Sequence, residues 1–319
     1  MADKKIIAVA GATGSQGGGL VRAILNDASG GFSARALTRN PNSEKARALA
    51  KLGAEVVKAD LDDIESLRRA FAGAYGAFCI TFFWEHFSPE KETAQGRALA
   101  QAAKDTGVKH VIWSTLEDSR KQVPLSDNRM PTLQGRYKVP HLDAKAEADA
   151  DFEKLPSTIL LTSFYWDNLI NFGMEPKRDS DGTLAFNLPM ADKKLPGIVA
   201  EDIGRCSYGI LKRPDLIGKR VGIAGEHLTG AQMAAELSQA LGETVRYNYV
   251  PPEIFRGLGF PGAEDIGNMF QYFRDFEAEF AGARSIESSR SLNPALQTFK
   301  AWLKDNASRI PVEGKKVSA

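Results

Sequence analysis

Short apolar runs alternate with segments of helical periodicity through the first half of the chain. The candidate strands are residues 6–10, 33–38, 54–59, 76–81, 108–114 and 157–162. The candidate helices between them include residues 17–25, 43–51, 64–71 and 91–106. Strands that are apolar along nearly their whole length are typical of a parallel sheet that helices cover on both faces. The pattern therefore predicts an α/β fold with a doubly wound parallel sheet, which a later apolar run at residues 219–225 rejoins.

The alternation loosens in two segments of the second half. Residues 172–196 are rich in proline, glycine and aspartate, and residues 251–284 are aromatic and punctuated by glycine. We assign these segments to a smaller C-terminal α/β lobe at the carboxyl edge of the sheet. The predicted organisation is a main domain of residues 1–163 with its sheet completed by residues 198–225, a lobe of residues 164–197 and 226–310, and a flexible tail of residues 311–319.

The composition narrows the class of protein. The chain has 319 residues, of which 43% are hydrophobic and 25% charged, as is typical of globular proteins. Its 41 basic and 40 acidic side chains give a net charge of +1, which offers no electrostatic reason to bind nucleic acid or an anionic membrane. Cys79 and Cys206 are too few for a disulfide framework, and no spacing of His, Cys and Asp suggests a metal site. With no signal peptide and no apolar run of membrane-spanning length, we expect a cytoplasmic protein.

A glycine-rich turn follows the first predicted strand and opens the first predicted helix. In VAGATGSQGG, Gly11, Gly14 and Gly17 lie at three-residue intervals, a variant of the dinucleotide-binding fingerprint. Gly11 permits the tight turn, Gly14 lets the backbone approach a pyrophosphate, and Gly17 lets the helix pack close to the sheet. Because free N–H groups at a helix N-terminus attract anions, the motif favours a nucleotide site in a Rossmann domain over a purely structural turn. The candidate cofactor-binding residues of this turn are Gly11, Thr13, Gly14, Ser15, Gln16 and Gly17.

The residue after the second predicted strand indicates which dinucleotide binds. Proteins that bind NAD usually place a carboxylate there for the ribose 2′-hydroxyl, whereas this chain has Arg39 in LTRN. A guanidinium binds a 2′-phosphate through two hydrogen bonds, and a carboxylate would repel that phosphate. Arg39 therefore favours NADP(H) over NAD(H), with a solvated surface arginine as the alternative interpretation.

The chain resembles the NmrA-like group of atypical short-chain dehydrogenases/reductases, and within that group the NADPH-sensing proteins of the HSCARG type. The resemblance runs from Asp3 to about Phe270. The stretches that carry it are DKKIIAVAGATGSQGG, LTRNP, GAEVVKADLDD, GAYGAF, FWE, EKETAQGR, HLDAKAEAD and LGFPGAEDIGNMF. It implies a Rossmann sheet with a smaller C-terminal lobe.

The resemblance also implies roles for residues near the ends of predicted strands. Asp60 and Leu61 match the position that contacts adenine, and Thr81 and Phe82 match the stretch beside the nicotinamide ribose. Ser114 matches the position where ordinary members keep a catalytic Ser or Thr.

A further run, TSFYWDN, follows the sixth predicted strand at the carboxyl edge of the sheet, where doubly wound folds bind their ligands. We take Phe164, Tyr165, Trp166 and Asn168 from this run as candidate walls of a nicotinamide pocket, with the core of the smaller lobe as the alternative.

His141 stands where ordinary members of the group have a tyrosine, four residues before Lys145, which matches their ribose-binding lysine. Pro140 suits the first turn of a helix, so His141 and Lys145 lie on one helical face. In ordinary members the tyrosine protonates the carbonyl oxygen of the substrate. Histidine also donates protons but is shorter than tyrosine. His141 is therefore interpreted as a proton donor, a passive pocket or cofactor contact, or a surface histidine, and Lys145 as a cofactor ligand or a surface lysine.

Two classes of function follow from these residues. The first is an NADP(H)-binding redox sensor that responds to the NADPH/NADP+ balance and regulates a protein partner, with weak reductase activity compatible with that role. The second is an NADPH-dependent oxidoreductase that reduces a carbonyl, a quinone or a conjugated double bond, with His141, Lys145 and Ser114 as its catalytic residues. The missing tyrosine and the HSCARG-like stretches favour the sensor. Neither class requires a metal, a nucleic acid or a membrane, and both are compatible with a homodimer.

Overall fold

The computed structural model describes residues 4–312 and is built around one parallel sheet. The strands are β1 Lys5–Val9, β2 Phe32–Thr38, β3 Glu55–Lys58, β4 Gly76–Cys79, β5 His110–Thr115, β6 Ser157–Leu161, β7 Phe164–Tyr165, β8 Lys177–Arg178, β9 Leu184–Leu188, β10 Lys194–Ile198, β11 Arg220–Gly222, β12 Glu226–Thr229 and β13 Val245–Tyr249. The helices are α1 Ser15–Asn26, α2 Glu44–Lys51, α3 Ile64–Phe71, α4 Pro89–Asp105, α5 Pro140–Glu147, α6 Asp149–Phe152, α7 Asn168–Asn171, α8 Ala200–Leu211, α9 Gly230–Leu241, α10 Pro252–Arg256, α11 Ala263–Asp275, α12 Glu277–Gly282, α13 Ile286–Leu292 and α14 Phe299–Asn306.

The central sheet has seven strands in the order β11-β6-β5-β4-β1-β2-β3, and every neighbouring pair is parallel. From β1 the chain first builds outward through β2 and β3, and it then crosses back to β4 on the other side of β1. Ligands of doubly wound folds bind at the carboxyl ends of the strands beside such a reversal. The predicted Rossmann fold is confirmed, and it places the end of β1 between the ends of β2 and β4.

Side chains alternate between the two faces of the sheet, and each face has its own core. Ile7 and Val9 of β1 pack with apolar side chains of α1 and α8. Ala8 of the same strand, on the opposite face, packs with side chains of α3, α4 and α6. Burial on both faces explains why these strands read as continuous apolar runs.

The smaller lobe contains two three-stranded sheets, β12-β10-β7 and β13-β9-β8. Its apolar core also includes Val123, Met130 and Val139, which lie between β5 and α5. This segment is therefore packed against the lobe, although it lies inside the predicted main domain. Val312 of the predicted flexible tail is buried in the same core, Pro311 is exposed, and residues 313–319 lie outside the described part of the chain.

A fully buried arginine joins the lobe to the central sheet. Arg284 donates from Nε to the carbonyl oxygen of Thr162, just after β6, at 2.8 Å. Its two terminal nitrogens donate to both carboxylate oxygens of Glu117, just after β5, at 2.6 and 3.0 Å. A bidentate pair of this kind fixes orientation as well as distance. Arg284 therefore sets where the lobe lies relative to the carboxyl ends of β5 and β6.

Helices α1 and α8 pack at backbone distance because glycines face each other across the contact. A Cβ added to Gly204 would lie 2.2 Å from the amide nitrogen of Leu20, and one added to Gly19 would lie 2.7 Å from the carbonyl oxygen of Glu201. Backbone atoms cannot yield to such contacts as a flexible side chain would. Helix α8 therefore packs directly against the backbone of the glycine-turn helix.

We expect Gly204→Ala to lower the free energy of unfolding by about 1–3 kcal/mol, the usual cost of an overpacked contact. The measurement is the free energy of unfolding from urea denaturation. Gly282→Ala is the matched control, because a Cβ at this helical glycine meets no atom within 4 Å. That control should be neutral or slightly stabilising. Equal stability of the two variants would contradict a close α1–α8 contact.

Candidate functional site

The glycine turn joins β1 to α1 in the shape that the motif predicts. Gly11 has a φ of +63°, which favours glycine, and the amide of Gly14 donates to the carbonyl of Gly11 at 2.9 Å. A Cβ on Gly17 would lie 2.5 Å from the carbonyl oxygen of Gly11, so only glycine allows this close approach. Helix α1 begins at Ser15 without a side-chain cap. Its first amides therefore remain available to an anion.

Arg39 lies beyond the end of β2 and forms an ion pair with Glu85, which follows β4. The two side chains are 63% and 46% exposed. Because β1 lies between β2 and β4, the pair spans the strand that leads into the glycine turn. The hydrogen bond to Glu85 is the main reason that the pKa of Arg39 is raised above its ordinary value. Asp60 also contributes to that rise, which places its carboxylate in the surroundings of Arg39.

Lys145 has all three of its N–H donors occupied inside the protein. Its Nζ donates to the carbonyl oxygen of Thr81 at 3.0 Å, to Thr81 Oγ1 at 2.6 Å and to Glu92 Oε1 at 2.7 Å. Glu92 comes from the first turn of α4 and is fully buried, and the Lys145 side chain is only 12% exposed. Lys145 and Thr81 are therefore together, as the resemblance implies, but a carboxylate holds the lysine.

The other oxygen of that carboxylate has no hydrogen-bond partner within the described residues. Glu92 Oε2 is buried and lies 3.4 Å from His86 Nε2, and the contact does not have the geometry of a hydrogen bond. His86 Nε2 is likewise buried and unpartnered. Buried polar atoms are seldom left unpaired, so this pair of facing atoms requires an explanation.

His141 is tied to the smaller lobe. Its Nδ1 lies 2.6 Å from Asp265 Oδ1, and its backbone N–H donates to Asp265 Oδ2 at 3.1 Å. The ring also packs against Trp84 at a centroid distance of 4.8 Å, and His141 is 6% exposed. The interpretation as a surface histidine is therefore wrong. Asp265 lies in α11, so this contact joins α5 of the main domain to the lobe.

Ser114 and the TSFYWDN run meet through a side chain of the glycine turn. Ser114 Oγ donates to Gln16 Oε1 at 2.8 Å, and Gln16 Nε2 donates to the hydroxyl of Tyr165. Burial raises the pKa of Tyr165, which keeps its phenol protonated. Phe164, by contrast, points into the core of the lobe and contacts Phe270.

The remaining candidates lie around these groups. Leu61 is half-buried beyond β3, Phe82 is 52% exposed beyond β4, and Asn168 begins α7. Four residues of the site were given no role from the sequence: Glu85, His86, Glu92 and Asp265. Glu85, Glu92 and Asp265 lay in the stretches FWE, EKETAQGR and LGFPGAEDIGNMF that carry the resemblance, and Tyr165 was among the predicted pocket walls. Apart from that resemblance, no local signal marks Glu92, because a buried glutamate in the first turn of a helix looks like an ordinary surface charge.

The parallel sheet and its glycine turn define a Rossmann-type α/β protein. The NmrA-like family matches residues 3–303, and the chain belongs to this family. The NmrA-like family domain-containing oxidoreductase FrzB of Cladobotryum sp is 33% identical over 287 residues, which cover 84% of this chain and 83% of FrzB. The oxidoreductase ptmS of Penicillium ochrochloron is 28% identical over 336 residues, covering 94% and 97% of the two chains.

Solved structures extend this comparison. NmrA, a negative transcriptional regulator, has a TM-score of 0.76 and 25% identity over 95% of both chains in its complex with NADP. The same values hold for its complex with NAD. The triphenylmethane reductase of Citrobacter sp in complex with NADP(H) has a TM-score of 0.72 and 21% identity, and it shares the fold alone. The predicted family is thus confirmed, and the likeness to the HSCARG type stays a prediction.

Two further properties concern the described residues only. Between residues 4 and 312 no helix has the length and apolar character needed to cross a membrane. The same part of the chain holds no cluster of three or more His, Cys, Asp or Glu side chains arranged for a metal ion. Burial raises the pKa of both cysteine thiols, Cys79 and Cys206, and so disfavours the thiolate that a nucleophile requires.

We expect His141→Ala and Asp265→Ala each to destabilise the protein by about 1–3 kcal/mol, because each leaves a buried polar partner unpaired. The double variant should be less destabilised than the sum of the two. Unfolding free energies measured in urea complete this double-mutant cycle. Glu264→Ala, at an exposed neighbouring position, serves as the control and should change little. Strict additivity of the two losses would contradict the contact between His141 and Asp265.

Proposed function

We propose that this chain binds NADP(H) and acts as a redox sensor that regulates a protein partner according to the NADPH/NADP+ balance. The nucleotide would lie across the carboxyl ends of β1, β2 and β4. NmrA, which shares the family and the fold, is a regulator that binds both NADP and NAD. A cytoplasmic location is compatible with this role and stays a prediction, as does a homodimer.

The glycine turn fits the pyrophosphate of a dinucleotide. The uncapped amides at the start of α1 supply donors, and the absence of side chains at Gly14 and Gly17 keeps the backbone open to a ligand. The N-terminal end of a helix also carries partial positive charge, which favours an anion. These features support Gly11, Thr13, Gly14, Ser15, Gln16 and Gly17 as the binding loop.

Arg39 supports the choice of NADP(H). Its guanidinium is exposed at the end of β2, where a carboxylate would favour NAD(H). Its present partner is the exposed Glu85, and ion pairs between exposed side chains contribute only about 0–1 kcal/mol. A 2′-phosphate with two negative charges would therefore displace Glu85 readily.

One observation carries the proposal of a sensor. Arg39 and Lys145, the two cations predicted to contact the dinucleotide, are both paired with carboxylates of one segment. This β4–α4 segment comprises residues 82–92 and includes Glu85 and Glu92. A dinucleotide that takes either cation must change the contacts of the segment. Occupancy of the site is thereby converted into a change of protein structure, which is what a sensor requires.

The β4–α4 segment also reaches the protein surface and the smaller lobe. Phe82 and Phe87 are 52% and 42% exposed. The backbone of Phe87 has a φ of +55°, which residues other than glycine rarely adopt. Trp84 and Phe87 lie against Gly262, immediately before α11. A change in the segment would therefore reach both an exposed aromatic surface and the lobe that Asp265 ties to His141. Partner recognition at these elements is part of the proposal.

The alternative is an NADPH-dependent oxidoreductase for a carbonyl, a quinone or a conjugated double bond. A bound nicotinamide would supply hydride for such a reduction. The His141–Asp265 pair favours this reading, because Asp265 orients the imidazole and leaves Nε2 without a hydrogen bond among the described residues. Relatives such as FrzB and ptmS are named oxidoreductases. The burial of His141 beneath Trp84 and the occupied donors of Lys145 favour the sensor.

The first binding prediction concerns cofactor choice. NADPH should bind at least about tenfold more tightly than NADH, a difference of about 1.4 kcal/mol. Arg39→Ala should remove most of this difference with little effect on NADH, because only NADPH carries the 2′-phosphate. Glu85→Gln is the matched variant and should tighten NADPH selectively, because it removes the competing charge. Calorimetric titrations of both dinucleotides measure these effects, and equal losses for both in Arg39→Ala would show that Arg39 supports the fold instead.

The second prediction concerns the response to binding. Hydrogen exchange of backbone amides in residues 82–92 should change at least about twofold on addition of NADPH, because the segment loses its cation partners. Amides of β11, at the far edge of the sheet, serve as the internal control. Gly14→Val should abolish both binding and response, because its branched side chain occupies the path of the pyrophosphate. NADP+ should produce a measurably different response or affinity from NADPH.

The rate of NADPH oxidation by the wild-type protein distinguishes the two functions. A sensor should oxidise little NADPH with a panel of quinones, aldehydes and enones, and His141→Ala should leave that rate unchanged. Robust NADPH oxidation that falls about 100-fold or more in His141→Ala would favour the oxidoreductase, since general acid catalysis contributes about that much.

A further inference from the structure

Glu92 occupies an unusual position for a carboxylate. It is fully buried, and all of its hydrogen bonds reach one oxygen, Oε1, from Lys145 Nζ at 2.7 Å and from Thr81 Oγ1 at 2.5 Å. The second oxygen, Oε2, has none. Burying a carboxylate is costly unless its oxygens are paired. Half of the Glu92 carboxylate therefore lacks the partner that its burial requires.

His86 faces that unsatisfied oxygen with a donor of its own. The backbone N–H of Ser88 donates to His86 Nδ1 at 3.1 Å, so Nδ1 acts as the acceptor. In a neutral imidazole the other nitrogen then carries the proton, which places an N–H at Nε2. This Nε2 is buried, makes no hydrogen bond in the described part of the chain and lies 3.4 Å from Glu92 Oε2. Donor and acceptor thus face each other just beyond bonding geometry.

Lys145 has a matching requirement. Its three N–H groups are all used by Thr81 and Glu92, so a ribose hydroxyl can be bound only if at least one of these bonds is given up. Loss of the bond to Glu92 would leave a buried negative charge with Thr81 as its single partner. Such a loss is costly unless another donor replaces the lysine.

We propose that Glu92 is an exchange residue: it holds Lys145 while the site is free, and it turns to His86 Nε2 when Lys145 binds the dinucleotide ribose. This inference rests on the proposed function, because it assumes that Lys145 contacts a dinucleotide. It assigns roles to Glu92 and His86, for which the sequence predicts none. Glu92 lowers the affinity for the ligand by competing for Lys145, and His86 offsets part of that loss by accepting the carboxylate. Both residues belong to the β4–α4 segment, so the exchange is a direct route from ribose binding to that segment.

Substitution of Glu92 gives the main test. In Glu92→Gln the amide still accepts from Lys145 and Thr81, but without a full charge, so Lys145 is released more easily. NADPH and NADH should both bind about tenfold more tightly, since a hydrogen bond to a charged group is stronger than a neutral one by about that factor. The melting temperature of the free protein should fall at the same time. Glu90→Gln, an exposed glutamate on the same helical turn, is the control for charge and should change neither.

A second pair of variants tests His86 and leaves the ion pair between Lys145 and Glu92 unaltered. His86→Asn keeps a polar atom near Nδ1 for the N–H of Ser88 but removes the donor at Nε2. His86→Gln lacks the ring but has an amide N–H that reaches toward Glu92. In the free state His86→Gln should melt no higher than His86→Asn, because Nε2 makes no hydrogen bond there and only asparagine keeps an acceptor for the N–H of Ser88. His86→Asn should bind both dinucleotides about three- to tenfold more weakly than His86→Gln, the range for one buried hydrogen bond.

The outcomes separate this inference from the proposed function. A wild-type protein that binds neither NADPH nor NADH overturns both. Wild-type binding that is weakened or unchanged in Glu92→Gln overturns the exchange alone, because a purely structural Glu92 would lose stability and affinity together. Equal affinities of His86→Asn and His86→Gln overturn the role of His86. Tighter binding in a less stable Glu92→Gln protein, with the expected order of the His86 variants, supports the exchange.

Discussion

The buried charge of Glu92 is the constraint on which the rest of the site depends. A carboxylate with no exposure must have cationic or hydrogen-bonding partners, and here it gathers Lys145, Thr81 and His86 around the end of β4. Those partners come from α5, from the end of the strand and from the β4–α4 segment. The three elements are therefore held in one arrangement by one charge. Any ligand that recruits Lys145 acts on that arrangement directly.

In the proposed complex, two ion pairs of different strength would compete with the two halves of a dinucleotide for Arg39 and Lys145. Arg39 and Glu85 are exposed, so their pairing is weak and screened by salt. Lys145 and Glu92 are buried, so their pairing is costly to break. The adenosine half would thus be recognised readily, while the nicotinamide half would meet resistance. A protein built for rapid turnover gains nothing from such resistance, whereas a sensor converts it into a structural response.

The strands and helices of the main sheet could be predicted because their burial produces a regular pattern of apolar residues in the sequence. The glycine turn could be predicted because close backbone contacts require glycine at a fixed spacing. Arg39 and Ser114 could be placed at strand ends from the same apolar pattern, and Lys145 on one face of the helix that Pro140 begins. Their partners could not be predicted. Glu85 lies 46 positions from Arg39 and Asp265 lies 124 positions from His141, and nothing in periodicity reports which distant side chain faces another. A buried atom without a hydrogen-bond partner, such as Glu92 Oε2, can be recognised only in the three-dimensional structure.

The glycine contact between α1 and α8 affects how the protein folds during synthesis. Helix α1 ends at Asn26, but the surface that covers it is not synthesised until residues 200–211. Strand β11, which extends the sheet beside β6, comes later still. A nascent chain or a fragment ending near residue 163 would therefore carry the whole glycine turn on a helix with one apolar side open to solvent. Such long-range closure is slow, and it exposes the unfinished face to aggregation until the last part of the chain arrives.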